Sequence, residues 1–172
     1  MKCRYYMLVT AVVKPSASMA SLLARLEGKR WARIIDHDEL TRRIHVSIEM
    51  DKWFLLRDLL RPYADTATVE FKAVCWGRRE LLERLARRAQ LVNRTPKGER
   101  QVLLRCRGGG VLLVTVKGRR LDVKYCRDVS GLLTPSACAY YYPYENIPGL
   151  SVKAVNCFGE LLDYVNELKE HT

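Results

Sequence analysis

Along the first part of the chain the spacing of hydrophobic positions alternates between that of a strand and that of a helix. Cys3 to Val13 is β-branched and tyrosine-rich with weak alternation, which predicts a strand, and Pro15, Ser16 and Ser18 supply a turn and a helix cap. From Met19 to Glu27 the residues Leu22, Leu23 and Leu26 share one helical face, and Gly28 stops the helix. Arg30 to Ile35 reads as extended and leads into a polar turn of Asp36, His37, Asp38 and Glu39. Arg42 to Met50 alternates well: Ile44, Val46 and Ile48 point one way, Arg43, His45, Ser47 and Glu49 the other. Asp51 then caps a helix whose expected apolar stripe is Trp53, Phe54, Leu55, Leu56, Leu59 and Leu60, with Pro62 near its end. Thr66 to Trp76 reads as a strand, closed by Gly77.

The order strand, helix, strand, strand, helix, strand is the split βαβ pattern of a ferredoxin-like α+β unit, with its helices on one side of an antiparallel sheet. A different pattern follows. Arg78 to Asn93 carries Leu81, Leu82, Leu85, Ala89 and Val92 at helical spacing, and Thr95, Pro96, Lys97 and Gly98 break it. Arg100 to Arg107, Val111 to Lys117 and Leu121 to Arg127 predict a three-stranded antiparallel meander, turned at Gly108-Gly109-Gly110 and at Gly118-Arg119-Arg120. Asp128 to Gly149 reads as irregular, Ser151 to Val155 as one more strand, and Phe158 to Glu170 as a C-terminal amphipathic helix with an acidic outer face. The expected organisation is residues 1–77 as the ferredoxin-like unit and 78–172 as the basic helix, meander and closing helix, or both as one continuous domain.

Charge changes this picture more than hydrophobicity does. Residues 78–127 hold fifteen Lys and Arg against four acids, a net of +11 that equals the net charge of all 172 residues. Fixed cations at this density attract polyanions and contribute little to folding. Arg78, Arg79, Arg84, Arg87, Arg88, Arg94, Lys97, Arg100, Arg105, Arg107, Arg119 and Arg120 are therefore expected to neutralise phosphates of a nucleic acid. Tyr141 and Tyr142, within the run Tyr140 to Tyr144, are candidate stacking platforms for unpaired bases. No helix-turn-helix or zinc module is visible, which favours RNA or single-stranded DNA over duplex reading. The strand RIHVSIEM lacks the aromatics of an RNA recognition motif.

Other chemistry has less support. The triple glycine precedes a strand, VLLVTVK, where a phosphate-binding loop would precede a helix, so a hairpin turn explains it. Asp36, His37, Asp38 and Glu39, with His45 nearby, offer metal-compatible donors, but neighbours in one turn seldom converge on an ion. His171 and the other histidines have no partnered Ser or Cys signature. No catalytic residue, metal or cofactor is expected. The rivals to non-catalytic binding are a nuclease holding a metal through Glu27, Asp36 or Asp38, and an assembly subunit in which the acidic tail of one copy meets the basic middle of another as a homo-oligomer.

Six cysteines, never closer than twelve residues, exclude paired zinc-ligand spacing and predict free thiols in a reducing cytoplasm. Two Gln and four Asn beside many Arg suggest a thermophile, where intracellular disulfides occur; a bonded pair would then be Cys106 with Cys126. No apolar run of about 18 residues exists to span a membrane. The start, MKCRYYMLVTAVV, leads into Lys14 and Pro15 with no signal-cleavage region, and is expected to be structural.

Overall fold

The computed structural model describes residues 1–170; His171 lies outside the described residues. The elements run β1 (Lys2–Val12), α1 (Met19–Glu27), β2 (Ala32–Asp38), β3 (Arg43–Glu49), α2 (Trp53–Leu60), β4 (Ala67–Trp76), α3 (Arg79–Arg88), β5 (Gln90–Arg94), β6 (Arg100–Arg105), β7 (Val111–Lys117), β8 (Arg120–Cys126), β9 (Tyr140–Tyr142) and α4 (Ile147–Glu170). The strands form a nine-stranded sheet in the order β2-β3-β1-β4-β8-β7-β6-β5, with β9 pairing β4 off this path.

This corrects the expected fold class, a ferredoxin-like βαββαβ unit followed by a separate three-stranded meander. The physical reason lies in β4, whose ten residues offer more edge than one neighbour uses. Its end pairs antiparallel with β8, from Lys72 opposite Lys124 to Trp76 opposite Arg120. Its start pairs with β9, from Ala67 opposite Tyr142 to Val69 opposite Tyr140. An unpaired row of backbone N–H and C=O groups is unfavourable, and the later strands satisfy it.

The chain divides into two compact units. One comprises Met1–Tyr5, Lys72–Cys138 and the chain from Gly149 on; the other comprises Tyr6–Phe71 and Ala139–Pro148. In the second unit β3 pairs with β1, Ile48 opposite Met7 and Val46 opposite Val9, so that alternate residues of both strands are buried on one face. Leu22 and Leu26 of α1, Trp53, Leu56 and Leu59 of α2 and Phe71 of β4 are buried as well. Phe54 and Leu55, expected in the α2 stripe, are about half exposed instead.

In the first unit the register places Val102, Val114 and Val123 side by side across β6, β7 and β8, with Ala73 of β4 beyond them. All of these are buried. Leu82 and Leu85 of α3 and Phe158, Leu161, Val165 and Leu168 of α4 complete the hydrophobic interior of this unit. On the opposite parity Leu103, Val111, Cys126 and Cys138 form a smaller core cluster, with Val92 packed against it.

Three local expectations change for the same kind of reason. The helix expected to reach Asn93 ends at Arg88: Ala89 turns extended (ψ 163°) and Gln90–Arg94 becomes a strand. Backbone pairing with β6, across a register shift between Leu91 and Asn93, outweighs the helical spacing of Val92. Tyr140–Tyr142, read as irregular, is a strand, and Ser151 to Val155, read as a strand, is helical. The buried set Ile147, Ala154, Phe158, Leu161, Val165 and Leu168 is one continuous helical stripe, so the β-prone Val152 and Val155 inside it do not set the conformation.

All six cysteines are disulfide-bonded, which overturns the expectation of free thiols and of a Cys106–Cys126 pair. The bridges are Cys3–Cys75, Cys106–Cys157 and Cys126–Cys138, all within the first unit. Cys106 follows β6 and Cys126 ends β8, with β7 between those two strands, so the pair is too far apart to bond. Gly131 packs against the third bridge so closely that a Cβ there would come 2.6 Å from Cys138 Sγ. No helix among the described residues is long and apolar enough to cross a membrane.

Candidate functional site

The helix α3 exists because Leu82, Leu85 and Ala86 bury one stripe while charged residues, mostly arginines, take most of the rest. Glu80 in its first turn and Arg87 and Arg88 in its last match the helix dipole. Arg78, Arg79, Arg87 and Arg88 are exposed, and Arg84 is half-buried. Arg84 Nη1 donates to the Leu168 carbonyl at 2.9 Å, tying α3 to α4. Arg79 pairs with Glu83 at 3.7 Å. The helix-spaced pairs Glu80–Arg84 and Glu83–Arg87, the ones an ion-paired surface would use, are not formed among the described residues.

The register sorts the remaining cations into two groups. Arg94 faces Arg100 across β5 and β6, and Lys117 faces Arg120 across β7 and β8. Gln101 sits opposite Thr115, so the Arg94–Arg100 end of the sheet is also the Lys117–Arg120 end. Trp76 is opposite Arg120, and the Gly77 N–H donates to the Arg119 carbonyl at 3.0 Å, which brings the start of α3 to the same end. Arg78, Arg79, Arg94, Lys97, Arg100, Arg119 and Arg120 therefore gather at one end of the first unit. Arg105 and Arg107 do not. They flank the Gly108–Gly110 hairpin at the other end of β7, a seven-residue strand that spans roughly 20 Å.

Within the gathered group some charges are already used. Asp122 accepts from Lys117 at 2.7 Å and from Arg120 at 3.2 Å. Arg100 Nη1 reaches the Ala86 carbonyl at 3.5 Å, a long contact that positions it beside α3. Among the described residues, no carboxylate lies within ion-pairing distance of Arg78, Arg87, Arg88, Arg94, Lys97 or Arg119. At the other end, Arg107 meets Glu160 of α4, whose Oε1 accepts the Arg107 backbone N–H at 2.9 Å. The acidic face of α4 is thus partly matched inside its own unit.

Tyr141 and Tyr142 belong to the second unit. Tyr142 packs edge-on against Trp53, with ring centroids 5.4 Å apart, and Tyr140 is buried against Phe71. Tyr141 is 47% exposed. The first unit has a different exposed aromatic, Trp76, at 42%. A cleft of about 720 Å³ opens beside it, lined also by Lys2, Arg78, Leu81, Arg84 and Lys169. Trp76, Lys2 and Lys169 lie outside the set that the sequence pattern singles out. A signal for Trp76 is present nonetheless: it falls on the same parity as Thr68, Glu70 and Lys72, the less buried face of β4.

The acidic segment expected as a turn is instead strand as far as Asp38, the end of β2, and side-chain contacts hold it. Asp36 Oδ1 lies 3.5 Å from His45 Nε2, and Asp38 Oδ1 accepts the Leu40 N–H at 2.9 Å. That N–H holds the Asp38 carboxyl below its ordinary pKa. Among the described residues no three or more His, Cys, Asp or Glu side chains group to hold a metal ion. No protein-family model matches the chain, and no curated protein matches it in sequence.

Proposed function

We propose that the protein binds nucleic acid without reacting with it, through the basic end of its first unit, and that it takes RNA or single-stranded DNA in preference to duplex. The observation that carries this reading is the set of exposed cations at that end with no acid in reach among the described residues, Arg78, Arg94, Lys97 and Arg119. An ion-paired surface would match such charges with carboxylates; a phosphate-binding surface leaves them for its ligand. Guanidinium forks also suit phosphate oxygens better than ammonium groups do. Preference for unpaired strands is supported by the exposed indole of Trp76 directly opposite Arg120, since a stacked base needs an accessible aromatic face.

We also infer a thermophile's cytoplasm as the setting, where intracellular disulfides persist and would accommodate the three bridges. Anisotropy titrations at low salt with labelled single-stranded RNA, single-stranded DNA and duplex DNA test the function. Binding to all three, tighter to single strands, is the expected result. Equal or tighter binding to duplex would overturn the preference, and no binding to any ligand would overturn the function.

A further inference from the structure

We propose that the cleft beside Trp76 is a subsite for one nucleotide of a single strand, its unpaired base against the indole and its phosphate among the cations. The cleft's volume of about 720 Å³ falls within the range of small-molecule sites and holds a nucleotide, whereas a duplex is too wide to enter. Its wall supplies each kind of contact that a nucleotide needs. Trp76 gives an exposed aromatic surface and Leu81 an apolar one. Asn166 offers both a donor and an acceptor to a base edge.

Among the described residues of the lining, Lys2, Arg78 and Arg84 outnumber the one acid, Glu80, so the cleft favours an anion. Arg84 is held in place by its bond to the Leu168 carbonyl, which uses one of its five N–H donors and leaves a pre-positioned guanidinium. An apolar ligand would leave these charges desolvated, and a peptide carboxylate would leave the aromatic wall unused. A nucleotide satisfies both. The inference rests on the nucleic-acid reading above for the rest of the strand, whose phosphates would continue onto Arg79 and Arg119.

Tryptophan fluorescence of the full chain, titrated with oligouridylate and oligothymidylate of about ten nucleotides and with adenosine 5′-monophosphate, tests the site. The oligonucleotides are expected to quench emission. Trp76→Leu should remove the quenching and weaken oligonucleotide binding on the order of tenfold. Trp76→Phe should lose the signal and keep most of the affinity, and Lys2→Glu should lower affinity while leaving the indole in place. Oligonucleotide binding that is indifferent to Trp76→Leu and Lys2→Glu would overturn the subsite and leave the wider function standing. No oligonucleotide binding would overturn both. Quenching by the mononucleotide at the same concentrations as by the oligonucleotides would overturn the assignment to a strand and make the cleft a free-nucleotide site.

Discussion

At the scale of single residues, the arginines of this protein divide into those that hold the fold and those left for a ligand. Arg42 is of the first kind. Its backbone is left-handed (φ 56°), and its guanidinium donates to the carbonyls of Val13, Lys14 and Ala17, just past the Val12–Arg43 end of the antiparallel β1–β3 ladder. Arg42→Ala should cost about 2 kcal/mol in denaturant unfolding, from lost charged hydrogen bonds, and leave nucleic-acid affinity unchanged. Asp128 gives a pH signature. Hydrogen bonds from the Ser130 hydroxyl and then the Ser130 N–H, with Arg127 nearby, hold its carboxyl below the ordinary 3.8. A depressed folded-state pKa means that its stabilisation is present above 3.8 and is lost as pH falls through the lower folded value. Asp128→Asn should therefore be less stable than the parent at neutral pH, with the gap closing in acid, as urea titrations at pH 7 and pH 2.5 would read.

At the scale of elements, the helix α1 and the strands β3 and β4 are legible in the sequence because each has one clear period, as Ile44, Val46 and Ile48 show for β3. What misleads is a segment whose local pattern competes with tertiary pairing. Val92 continues the apolar spacing of α3, yet the free edge of β6 takes Gln90–Arg94 as a strand. The sheet order follows from which edges remain unpaired once the strands meet, and no single strand's sequence carries that information. The candidate site is legible as a charge anomaly but not as a place. Only register separates Arg105 and Arg107 from Arg94, Arg100 and Arg119, and only burial makes Trp76 stand out. From this grouping, Arg94→Gln with Arg119→Gln should lower the salt slope of single-strand binding by roughly 0.7 for each arginine that meets a phosphate. Arg107→Gln, at the far hairpin, should leave the slope unchanged.

At the scale of the whole molecule, the bridges all fall in the unit that carries the basic surface. Under denaturing, non-reducing conditions a thiol assay should find no free cysteine, and peptide mapping should recover Cys3–Cys75, Cys106–Cys157 and Cys126–Cys138. Reduction should lower stability by about 2–5 kcal/mol for each bridge removed, most for Cys3–Cys75, which closes the longest loop with a sequence separation of 72. Recovery of Cys106–Cys126 would contradict the fold of the meander. The net charge of +11 is the molecule's dominant property, and the claim built on it is electrostatic capture of a single strand. Its most direct test is the affinity for labelled single-stranded RNA measured across a series of salt concentrations. The expected result is a linear fall of log affinity with log salt, at about 0.7 per neutralised phosphate and therefore with a slope of several units. An affinity indifferent to salt, or no binding at the lowest salt, would contradict it.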